Sequence, residues 1–142
     1  MIRWEQAYKS GIAMLDTENE RILSFVTFVK STNYGNHKKL AARDFLENTY
    51  KILRKHFEYE EEIIFTTDIR GVDGHISDHS LILNEFRTVI YEANTDISAN
   101  DALEFISSAM AKHFEHHDIN LIHAIQGKRE AATRVQSGAT EQ

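Results

Sequence analysis

His56 and Glu60 stand four residues apart in HFEYE, and His75 and His79 stand four apart in HISDH. On an α-helix, residues four apart differ by ~40° in azimuth and about 6 Å in rise, so each pair points one way. Both pairs fall on stripes that are otherwise mostly apolar. One reads Leu46, Thr49, Leu53, His56, Glu60, Ile63; the next reads His75, His79, Ile82, Phe86, Val89, Ala93. A further stripe, Leu103, Ile106, Met110, His113, Leu121, carries another imidazole. Burying a carboxylate without a partner costs on the order of several kcal/mol, so something must satisfy these groups. A lone core histidine is ordinarily satisfied by one hydrogen bond. Histidines on three stripes, with a glutamate among them, point instead to coordination. Imidazole and carboxylate suit iron, manganese and zinc, and a carboxylate has two oxygens with which to bridge two ions.

The stripes define the elements that must position these groups. Leu15, Ile22, Val26 and Val29 repeat at helical spacing, with Asn19 on the same face. Asp16 or Thr17 is the expected cap of this first helix, with Asn19 or Glu20 three residues on. Before it, residues 1–15 read as an arm anchored by Trp4, Tyr8 and Ile12. Further helices are predicted over about 39–66, 74–94 and 100–126. They are separated by STNYGNHKK, TTDIRGVDG and NTDISAND, with Gly127 as the expected stop. Four amphipathic helices with short connections predict an all-α, antiparallel up-down four-helix bundle with an N-terminal arm. Residues 1–127 form the bundle in this reading, and 128–142 a polar tail or linker.

Composition narrows the chemistry. Cysteine is absent, so disulfides, thiolate ligands and thiol nucleophiles are excluded and a metal must be held by nitrogen and oxygen. The net charge of −6 and the lack of a basic stripe argue against a nucleic-acid partner. No apolar run approaches the ~18 residues of a membrane span. MIRWEQAYKSG lacks the apolar core of a signal peptide, which predicts a cytoplasmic protein. Glu61 and Glu62 read as solvated, and His37 and His123 as surface residues. The run HFEHHD leaves a choice. His117 follows His113 by four and is its natural partner on an ideal helix, whereas Asp118 lies roughly 140° around.

Taken together, the N-terminal W…Y.SGI..LD, the HF..EE run, the H…H pair and the final HF…D resemble the hemerythrin family, from Trp4 to about Ile125. Bacterial single-domain members match best in length. The resemblance implies a non-haem di-iron site, its two iron ions bridged by carboxylates and an oxo or hydroxo group. It implies that His75, His79 and His113 hold one iron, that His56 binds the other, and that Glu60 and Asp118 bridge them. The choice of Asp118 over His117 comes from the family.

Two departures bear on function. The family has a histidine three residues after the aspartate of the arm, where this chain has Asn19; Glu18 or Glu20 is the alternative donor. It often has an aromatic residue four before the fourth-helix histidine, where this chain has Ala109. A roomier, wetter pocket is expected, with Met110 and Phe114 supplying the apolar wall. The resemblance then implies a domain that binds or senses O2, another small diatomic or anion, or redox state, for signalling more than storage. It is read as a binding domain and not an enzyme, with a signalling output domain as partner if the chain belongs to a longer protein. Two other classes remain: a di-iron redox enzyme acting on O2, peroxide or nitric oxide, and a scaffold bundle with a degraded or single-metal site, such as zinc.

Overall fold

The computed structural model describes the backbone of residues 8–31, 39–92 and 96–140, with side chains over 8–28, 43–92 and 99–134. Among these residues the chain is helical: α1 (Ala13–Ser31), α2 (Lys39–Thr66), α3 (Asp73–Glu92) and α4 (Asp96–His113), which continues through one π turn (Phe114–Asp118) into α5 (Ile119–Thr140). With α4, the π turn and α5 as one rod, this is a four-helix bundle.

Cross-helix contacts fix its direction. Glu18 lies near His56 and Phe28 near Phe45, so α1 and α2 run oppositely. His75 meets Glu60 while Phe86 stacks on Tyr50, which sets α2 against α3. Leu23 packs with Phe114 while Ser107 Oγ donates to the Val26 carbonyl, which sets α1 against α4. The expected up-down bundle is therefore the observed one.

The apolar stripes explain its cohesion. Leu53, Phe57, Phe86, Leu103 and Ile106 meet in the main core, and Leu15, Ile64, Leu121 and Ile125 close the end beyond the polar cluster. Each such side chain gains about 1.5–3 kcal/mol on burial. The stripes hold with small shifts. Ile64 and Ile90 are fully buried where Ile63 and Val89, half-buried, were expected inside. Trp4, His37, Ala93 and the Val29 side chain lie outside the described residues.

Both ends of the bundle differ from expectation. Asp16 is not a cap: the helix begins earlier, at Ala13, and the Asp16 carboxylate reaches back to accept from the Ser10 N–H, the Ser10 hydroxyl and the Gly11 N–H. Gly11, at φ +92°, makes the turn that permits this, and Arg129 lies where a Cβ would stand. Gly127 does not stop the last helix, which runs through it to Thr140. One interior glycine costs only about 1 kcal/mol. In return, Lys128 Nζ donates to the Thr67 and Asp68 carbonyls at the end of α2, meeting acceptors that the helix leaves open. Among the described residues, no helix is long and apolar enough to cross a membrane.

Candidate metal centre

Five donors reach the bundle interior from core stripes, and Asp118 reaches it through the π turn. α2 supplies His56 and Glu60, α3 supplies His75 and His79, and the α4 rod supplies His113 and Asp118; all six are buried. Ligand atoms of Glu60, His75, His79, His113 and Asp118 lie within 4.8 Å of one another. Glu60 Oε1 faces His75 Nε2 in the closest contact and His79 Nε2 at 3.1 Å. Asp118 Oδ1 stands 3.0 Å from the Nε2 atoms of both His75 and His113. The Nε2 atoms of His79 and His113 are 3.1 Å apart. Donors about 2.1 Å from one ion stand roughly 3 Å apart when at right angles, which is the spacing seen here.

The same cluster is poorly satisfied by its own hydrogen bonds. Glu60 Oε2, both ring nitrogens of His56 and Asp118 Oδ2 find no hydrogen-bond partner among the described residues, and His75 Nε2 and Asp118 Oδ1 meet their neighbours as close ion-pair contacts. Each buried unmet group costs about 1–3 kcal/mol, so a set of them at one point is hard to explain as packing. A cation at the common focus satisfies them together. This buried cluster can hold a metal ion.

Other buried polar groups lie around this cluster. Glu60 turns Oε2 away from the three histidines toward His56 Nε2, 3.4 Å away. Asp118 likewise keeps Oδ2 unpartnered. Asn19 is 1% exposed, and its Oδ1 has no hydrogen-bond partner among the described residues. Glu18 does not enter the centre: its Oε2 lies 3.8 Å from the outer His56 nitrogen, Nδ1, and 3.1 Å from Arg21. Glu20 is exposed.

Burial and charge pull in opposite directions here. Burial alone would lower the pKa of His75, but Asp118 and Glu60 outweigh it and raise it to about 9. His113 likewise resists burial through Asp118 and Glu60 and is pushed up to about 11. Burial also works against His56, which Glu60 nonetheless raises. Glu60 is itself held well below the usual carboxylate range: burial opposes this, but four imidazoles outweigh it. Without a metal, protons bound by the histidines balance the carboxylates.

The π turn settles the choice in HFEHHD. The Ile119 N–H bonds to the Phe114 carbonyl, five residues back, and this wider turn brings Asp118 round beneath His113. His117, the partner favoured by ideal spacing, is displaced outward; it is half-buried, with Nε2 3.8 Å from Asp78. Burial and the neighbouring His113 charge lower its pKa.

Met110 is buried in the main core, and Phe114 is buried against Leu23 and Ile122, edge-on to Tyr8. The room beside Ala109 belongs to a groove between α3 and α4, shared with Ile82, Phe105 and His113. Glu62 and His123 are exposed. Glu61 is half-buried instead of solvated, with Oε2 3.5 Å from His79 Nδ1. Three residues escaped the stripe reading: Phe57, whose ring stacks on His79 at 4.0 Å, and the outer carboxylates Glu18 and Asp78. The carboxylates carried a signal, since each sits beside a core donor in sequence: Glu18 before Asn19, Asp78 before His79.

Comparison with known proteins leaves these residues to speak for themselves, since no family model, no curated protein and no solved structure matches the chain.

Proposed function

We propose that the chain is a non-haem di-iron protein of hemerythrin type that reads O2, another small diatomic or anion, or redox state as a signal. The observation that carries this is the convergence of three imidazoles and two carboxylates from three helices on one buried focus. His75, His79 and His113 would hold one iron and His56 the other, with Glu60 and Asp118 spanning both. The open oxygens Glu60 Oε2 and Asp118 Oδ2 support the bridging role. Bound iron would supply one-electron redox chemistry and Lewis acidity toward a small ligand. The chain's own residues would orient the imidazoles and neutralise the charge, and Phe57, packed against His79 and His113, would help to exclude water.

Asn19 supports signalling over storage. It offers one weak, neutral oxygen at the position where the resemblance expects an imidazole. A metal held there would have fewer protein donors, would be more open to water and anions, and would oxidise more readily. A cytoplasmic location and a signalling output domain belong to the same proposal. The test is metal content per chain, with an optical spectrum of the same aerobic sample and rapid mixing of the reduced protein with O2. Two irons with near-ultraviolet bridge bands and a short-lived oxygenated form are expected. A long-lived oxygenated form would count for storage.

A second reading is favoured by the asymmetry of the donors. Ligand atoms of five residues converge on one position, while His56 lies outside that set, its Nε2 3.4 Å from Glu60 Oε2 and its Nδ1 3.8 Å from Glu18 Oε2. One firmly held metal and no second, after ferrous reconstitution, would make this a single-metal bundle.

A further inference from the structure

We propose that Asp78 is a positioning residue that fixes His113 in its metal-binding form. This rests on the metal reading above and extends it to a residue outside the donor set. Asp78 directly precedes His79 on α3. One helical step of ~100° turns it from the bundle interior toward α4. There its Oδ2 accepts from His113 Nδ1 at 2.7 Å. His113 is fully buried and Asp78 is about a quarter exposed, so the bond runs from the centre to the wall of the α3–α4 groove.

The consequence follows from imidazole chemistry. A neutral ring has one N–H and one lone pair. With Nδ1–H donated outward to Asp78, the lone pair must sit on Nε2, which faces Asp118, His79 and Glu60. If the proton moved to Nε2, the donor set would lose a member. The Asp78 charge also makes the inward nitrogen more basic.

The arrangement recurs in weaker form. Glu61 Oε2 stands 3.5 Å from His79 Nδ1, and Glu18 Oε2 stands 3.8 Å from His56 Nδ1 while also paired with Arg21. Three histidines from three helices thus each have a carboxylate on the Nδ1 side, and His113 alone of the three makes a hydrogen bond there among the described residues. A buried histidine satisfied only by packing has no need of such order. Asp78 makes the shortest of the three contacts and is the one expected to matter most. It also gives the displaced His117 a place, since both imidazoles approach the same oxygen.

The experiment measures Zn(II) affinity by chelator competition for the wild type, Asp78→Asn, Asp78→Glu and Glu85→Gln. Glu85 is exposed on the same groove and controls for lost surface charge. Asp78→Asn should weaken binding roughly 10- to 100-fold, Asp78→Glu should restore part of it, and Glu85→Gln should match the wild type. In parallel, 15N NMR of the Zn(II)-loaded wild type should show His113 with its proton on Nδ1, a readout that needs no variant to fold. Unchanged affinity in Asp78→Asn, or a His113 proton on Nε2, overturns the proposal while leaving the metal reading intact. A wild type that binds neither Zn(II) nor Fe(II) overturns the metal reading and this inference with it.

Discussion

Loading the centre with metal should expel protons, and the structure sets how many. In the metal-free protein, His75 titrates at about 9 and His113 at about 11, so both carry a proton at neutral pH. Glu60, held well below the usual range, carries none. A metal that takes Nε2 of both rings must displace a proton from each, so about two are released, with a further fraction from His56, whose pKa is also raised. Apparent affinity should therefore rise about a hundredfold per pH unit below the His75 value and about tenfold between the two values. Calorimetric titration with Zn(II), or anaerobic Fe(II), in buffers of different ionisation enthalpy counts the protons directly. Binding without proton release would refute the reasoning, because it would mean that the histidines are already neutral and the carboxylates balanced otherwise.

The same groups govern the stability of the metal-free fold. A histidine whose pKa rises on folding stabilises fully below its unfolded value, near 6.5, and loses that contribution as pH climbs through the folded value. For His75 the interval from 6.5 to about 9 is worth on the order of 3 kcal/mol, shared with the two carboxylates that hold the proton there. His113 extends the loss toward 11. Glu60 acts on the acid side: its contribution is present above the ordinary carboxylate value and is lost as pH falls through its depressed one. Denaturant melts of metal-free protein should show stability falling between neutrality and pH 9, and metal-loaded protein should resist that fall.

Other perturbations test separate parts of the argument. Asn19→His should raise the number of metals retained through dialysis, since it adds an imidazole at a buried position whose amide oxygen has no partner; an unchanged count would remove Asn19 from the centre. Phe57→Ala should cost about 3–5 kcal/mol in chemical denaturation and weaken metal binding too, because the ring fills the core and stacks on His79. Deleting Glu115, which is exposed within the π turn, should convert that turn to regular α-helix and leave Asp118 four residues after His113. Metal affinity should survive, and its loss would show that the wide turn itself is required.

Most of this molecule was legible because its helices obey one periodicity. The α2 and α3 stripes place His56, Glu60, His75 and His79 inside by the same rule that places Leu53 and Phe86 there, and that rule needs only 3.6 residues per turn. It fails where the backbone departs from that number. Asp118 is the case in point. On an ideal helix His117 belongs beneath His113, and no side chain in HFEHHD announces that a five-residue turn will replace a four-residue one. Local propensity does not favour the wide turn. What favours it is the outcome: an acceptor is brought to His75 and His113, and His117 is left beside Asp78 near the surface. The regular turn would aim a further imidazole, neutral or cationic, at histidines that already draw protons to the centre. The π turn supplies the negative charge that the cluster lacks. A similar limit applies to Glu18, Glu61 and Asp78. Their own helices turn them off the core stripe, yet each approaches an imidazole on a neighbouring helix. Periodicity describes one helix at a time, and these contacts exist only once the bundle has formed.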